Sequence, residues 1–211
     1  MHLLTEVLAE LDRNAKADGD AFDITIVGSQ AERWRTEHSG SFSAWGADVR
    51  VPTEEPDSGN FLPELIARYL LDLARSRVPE LGLRTESVAY TEQLPSTPGS
   101  GLIVVVVDGS AGLDEKAPLA SVPGAQDIHE HMRDFLEQGE SFQPAASWTS
   151  ESLQKAGVIE PYLWEQLVEL DRRLVSQGVD VDRKVWEHDS SLGVGRFVAH
   201  WQWKNSEVSS R

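Results

Sequence analysis

The sequence contains no cysteine, which excludes disulfides, thiolate catalysis, Cys-ligated zinc and iron–sulfur clusters. Six histidines and the carboxylates remain as the side chains able to hold a metal. Positive charge is scarce: nineteen Lys and Arg against thirty-five Asp and Glu give a net charge of −16. Such a field repels phosphate backbones and anionic lipid surfaces, so neither nucleic acid nor a membrane is an expected partner. Long apolar runs are also missing. Leu102 to Val107 is six residues, against the roughly 20 that a membrane-spanning helix needs. The opening MHLLTEVLAELDRN carries acids within its apolar stretch and has neither a basic flank nor a small-residue cleavage site, so no signal peptide is expected and a cytoplasmic protein is. No Gly-x-x-x-x-Gly-Lys loop and no dinucleotide fingerprint occurs. What is present, 211 residues with 40% hydrophobic side chains, suits one domain over residues 1–204 followed by a frayed tail over 205–211.

Leu3, Leu4, Val7, Leu8 and Leu11 recur at helical spacing among acids and predict an opening amphipathic helix. Phe22 to Val27, rich in β-branched residues and stopped by Gly28-Ser29, predicts a strand. Ala47 to Val51, closed by Pro52, predicts a second short one. The next helix is expected to take Asn60 as its cap, Pro63 in its first turn and a buried stripe of Leu62, Leu65, Ile66, Tyr69, Leu70 and Leu73. A strand follows at Ser87 to Tyr90. Leu102 to Val107, apolar without alternation, predicts a central strand covered on both faces. Ile128, Met132, Phe135 and Leu136 predict a helix ending at Gly139. A further helix runs from Glu160-Pro161 to Gly178 and buries Leu163, Trp164, Leu167, Leu170 and Leu174. Alternation of Phe197, Ala199, Trp201 and Trp203 with polar neighbours predicts a terminal strand. Helices interleaved with strands imply a three-layer α/β fold, with a central, mostly parallel or mixed sheet and helices on both faces.

In an open α/β sheet, functional groups gather in the loops beyond the carboxyl ends of strands. Gly28-Ser29-Gln30 and Asp108-Gly109-Ser110-Ala111-Gly112 occupy such places. Asp108 has the chemistry of a ligand or base and Ser110 that of a nucleophile, so hydrolysis is one alternative. Yet Asp108 stands where the Gly-x-Ser-x-Gly elbow needs its first glycine. The structural alternative is a turn whose Asp and Ser satisfy backbone donors. His129 and His131, two apart on a helix, cannot chelate one ion and are expected at the edges of the apolar stripe. His38, in the loop after the first strand, and His188 have no ligand-spaced neighbour. Seven tryptophans are explained by core packing.

Taken together, Val107-Asp108-Gly109, the stretch Gly40 to Val51 and the terminal Gly193 to Trp201 resemble an actinobacterial branch of the class III extradiol dioxygenase B-subunit-like superfamily, related to protocatechuate 4,5-dioxygenase β subunits. The likeness runs in matching order from about Ile24 to Trp203. It implies a mixed sheet flanked by helices and, in active members, a non-haem Fe(II) held by two His and one Glu, with a further His as acid/base. The family's first His lies in a Pro-rich loop after an N-terminal strand, whereas this sequence opens at the following helix, which raises a start upstream of Met1. The second His corresponds to Gly28 and Ser29, and the acid/base His to Ala111. Only the carboxylate has a counterpart, Glu160, with Trp164 one turn on.

The resemblance therefore implies a degenerate metal site: a non-catalytic binding or accessory protein with a cleft near Gly28, Ser29, His38, Asp108, Ser110 and Glu160. No metal or other cofactor is expected. The alternative is an active Fe(II) extradiol enzyme acting on an aromatic diol through an unconventional site that recruits His38. A small aromatic ligand, a homodimer and an accessory-subunit role are the partners implied; loss of the first strand would leave a sheet edge for pairing.

Overall fold

The computed structural model describes residues 4–10, 22–53, 58–77, 85–96, 101–139 and 148–203. Leu3, Leu11, the acidic loop 54–57, most of the Pro/Gly loop after Ser96 and the tail 205–211 lie outside the described residues. The architecture is α/β, in two compact units, Met1–Val107 and Asp108–Arg211.

In the first unit residues 4–10 are helical (α1). Strand β1 (Phe22–Val27) is followed by a long irregular excursion, helix α2 (Leu62–Arg77), β2 (Thr85–Thr91) and β3 (Gly101–Val105). The three strands are parallel in the order β2-β1-β3. Alternation in β1 puts Phe22, Ile24 and Ile26 on one face, where they form a core with Leu8 of α1 and Ala67, Leu71 and Ala74 of α2. Val88 and Tyr90 of β2 and Leu102, Val104 and Val106 extend the same apolar face across the sheet.

Three expectations are corrected here. The central strand is β1, and the Leu102–Val107 run is half-buried, because β3 pairs with β1 alone among the described residues. Ala47 to Val51 is not a strand: Arg50 makes one bridge to Ser41, and the 3₁₀ turn Ser43–Trp45 folds the segment onto itself, with Val51 N–H on Gly40 O at 2.8 Å. Helix α2 turns Leu65, Ala67, Leu71 and Ala74 inward and leaves Ile66 exposed. Its two alanines lie in the core shared with the sheet, where large side chains would hold the helix away. The Asn60 amide oxygen accepts from Ser39 Oγ at 2.7 Å, and the helix proper begins at Leu62.

In the second unit, a loop from Asp108 leads to α3 (Ala125–Gln138), α4 (Ser150–Lys155), α5 (Pro161–Ser176) and the antiparallel strands β4 (Val181–Asp189) and β5 (Arg196–Trp203). Gly139, at φ +74, ends α3, and Pro161 opens α5 at a position that needs no N–H. A capping box between Thr149 and Ser152 starts α4. Strand β4 has no counterpart in the sequence-based expectations. Five of its nine residues are charged, and a bulge between Val185 and Glu187 breaks its alternation. The core of this unit is aromatic: Phe135 meets Trp148 and Trp201 edge-on at 5.4 Å, and Trp164 meets Trp148 and Phe197 at 5.7 and 6.2 Å. Arg183 lies over the Trp201 ring and pairs with the fully buried Asp171. No helix among the described residues is long and apolar enough to cross a membrane.

Candidate functional site

The predicted site residues divide between the units: Gly28, Ser29 and His38 belong to the first, Asp108, Ser110 and Glu160 to the second. Gly28 continues the β1 ladder, its N–H on Thr91 O at 3.0 Å. A Cβ there would lie 2.7 Å from the Pro63 Cβ, so only glycine lets α2 begin this close to the strand. Ser29 is buried; its carbonyl accepts from the Tyr90 hydroxyl at 2.6 Å and its Oγ from Ala31 N–H at 3.2 Å. Both groups shape the turn. His38 is exposed, in a loop tied by Thr36 N–H to Asn60 O and by Gly40 N–H to Gly59 O. Behind the turn, the buried Glu64–Arg68 pair, 2.9 Å apart, joins α2 to β2 through Arg68 and Val88 O.

The second group folds around Asp108 to Leu113, a segment whose backbone is bonded on several sides. Gly195 N–H donates to Ser110 O at 2.8 Å, Ala111 N–H to Gly157 O at 2.9 Å, and Leu119 N–H to Ala111 O at 3.1 Å. A Cβ on Gly109 would lie 2.3 Å from Gly195 O, and one on Gly112 would lie 2.3 Å from Val122. The glycines of this motif are thus required by close packing. Ser110 has no exposed surface; its hydroxyl donates to Ala156 O at 2.6 Å and accepts from Gly112 N–H at 3.2 Å. A hydroxyl held this way links two loops. Asp108 presents an exposed side chain, while its backbone oxygen accepts from Trp164 Nε1 at 2.7 Å. Glu160 is buried and stands at the N-cap of α5 without bonding the helix's own N–H groups. The bridge between Ser110 and Val158 brings it near the Asp108 segment.

One residue was read differently from sequence. His129 lies on the inner face of α3 with Ala125, Met132, Phe135 and Leu136, at 7% exposure, whereas His131 is exposed. The spacing of Ala125, His129, Met132 and Leu136 contained that signal. Its ring stacks on Phe197 at 4.7 Å and meets His188 edge-on at 6.3 Å. Among the described residues its buried Nδ1 has no hydrogen-bond partner. Burial first, then the neighbouring His188 and Arg133, hold this imidazole below its ordinary value of 6.5, against the opposing pull of Glu130.

A two-His, one-carboxylate Fe(II) site does not fit these residues. At the two positions where the resemblance would put imidazoles stand Ser29 and Ala111; the Ser29 hydroxyl accepts from Ala31 N–H and its carbonyl from the Tyr90 hydroxyl. Among the described residues, no three His, Asp or Glu come together in a way that could hold a metal ion. The chain matches no family model, no curated protein and no solved structure.

Proposed function

We propose that this chain is a non-catalytic binding or accessory protein of the extradiol-dioxygenase-like type, which takes a small aromatic ligand and works without Fe(II). The observation that supports this reading is the use made of the two positions where the resemblance would put imidazoles. Ser29 closes the turn after β1 through its hydroxyl and carbonyl. Ala111 contributes only backbone, to Gly157 and Leu119. These positions serve the fold rather than a reacting atom. The topology supports a binding role: strand order reverses at β1, and in parallel sheets ligands collect outside the carboxyl ends of strands at such a reversal. The outer edge of β3, which pairs with β1 alone among the described residues, supports association with a second copy or a partner subunit.

The test is anaerobic Fe(II) titration by calorimetry with elemental analysis of the purified protein, followed by titration of catechol into the metal-free chain. Expected are no stoichiometric iron and a saturable catechol heat. One-to-one Fe(II) binding together with ring cleavage of catechol would replace this reading with an active dioxygenase and direct mutagenesis to His38, Asp108 and Glu160.

A further inference from the structure

His129 interrupts an otherwise apolar helix face that packs on β4 and β5. Its Nδ1 is sealed by the chain itself. This atom has essentially no accessible surface, and a Cβ on Gly195 would lie 2.6 Å from it, so the Gly195 backbone lies beside it. Gly195 cannot retreat freely, because its N–H is bonded to Ser110 O and its carbonyl is packed against Gly109. The ring is therefore held as the neutral tautomer with its proton on Nε2.

We propose that His129 is an acid-sensitive latch: the β4–β5 hairpin, with the turn at Gly195, stays docked on α3 only while this imidazole is neutral. A second proton would create a buried N–H with no acceptor among the described residues, and desolvation of the new charge adds to that penalty. Of the groups that face the ring, His188 of β4 and Arg133 of α3 oppose a positive charge, Glu130 of α3 and the ring face of Phe197 of β5 favour one, and the turn contributes the Gly195 backbone.

The sign follows from linkage. The undocked ring takes its proton near 6.5 and the docked ring only at lower pH, so docking is complete above that value and weakens as pH falls below it. Between the two values the docking equilibrium changes by up to about tenfold per pH unit, one proton being taken up on opening.

The experiment uses the full chain: NMR titration of the His129 ring protons, with amide hydrogen exchange of residues 181–203 measured across the same range. Expected are a His129 midpoint below 6.5 and a loss of hairpin protection of up to about tenfold per pH unit beneath it. A His129 midpoint at or above 6.5 would overturn the proposal. His129→Phe keeps the stacked ring and removes the proton, so protection of the hairpin should become flat with pH; the same acid loss in this variant would also overturn it. Should His129→Phe not fold, His188→Gln, at an exposed site, serves instead. It is expected to raise the His129 midpoint and carry the hairpin transition with it, and a transition that stays in place while the midpoint moves would sink the latch.

Discussion

The indole nitrogen of Trp164 donates to the backbone oxygen of Asp108 at 2.7 Å, across 56 residues of sequence. A fully buried side chain in the first turns of α5 thereby fastens the segment that opens the second unit. Trp164→Phe keeps an aromatic ring beside Phe135, Trp148 and Phe197 but removes the donor and part of the volume. A loss of about 1–3 kcal/mol is expected in urea unfolding, with the fold retained.

Among the described glycines of the second unit, Gly109 comes nearest to another backbone segment, with a Cβ position 2.3 Å from Gly195 O. Gly109→Ala must push two backbone segments apart, and overpacking of this kind costs about 1–3 kcal/mol or more. Circular dichroism melts should show a clear drop in midpoint. An unchanged melt would mean that the 109 and 195 segments are not in contact in solution.

Ser110 separates a structural from a chemical reading. Ser110→Ala leaves the Ala156 carbonyl and the Gly112 N–H without their shared partner in a site closed to solvent. Stability should fall by about 1–3 kcal/mol. Any esterase activity detected in the preparation should survive the substitution when assayed well below the melting temperature.

Asp171 and Arg183 form a buried ion pair, and the guanidinium also donates to Val181 O at 3.1 Å and covers the Trp201 ring. Removing one partner takes an ion-pair contact from the other buried group. Asp171→Leu or Arg183→Met alone should cost about 3–5 kcal/mol, whereas the double variant should recover much of that loss, because a well-packed apolar pair can replace a buried ion pair at little cost. Additive losses in a double-mutant cycle would show that the two side chains do not act as a pair.

Much of the local structure was legible in the sequence because it is encoded at short range. Pro161 and Gly178 bracket α5, Gly139 ends α3, and β-branched runs mark β1 and β3. The candidate site was less legible. Gly28, Ser29, Asp108 and Ser110 were found as strand-end loop residues, but whether a serine at such a place attacks a substrate or binds a carbonyl depends on Ala156, 46 residues away. His129 was missed as a buried group because its neighbour His131 invited comparison as a metal pair, while the helix face that buries it also contains Ala125, a residue too small to mark a stripe.

By itself the sequence determined where α2, α3, α5, β1, β3 and β5 lie, the absence of thiol chemistry and the acidic charge, since each rests on residue type and on spacings of a few residues. Only the tertiary structure decided that β1 lies between β2 and β3, that the charged stretch Val181 to Asp189 is a strand, and that Ala47 to Val51 is not. It also decided why Gly109, Gly112 and Gly195 are glycines. These outcomes depend on which backbone atoms meet across long separations, where hydrogen bonds and excluded volume between distant segments override local preference.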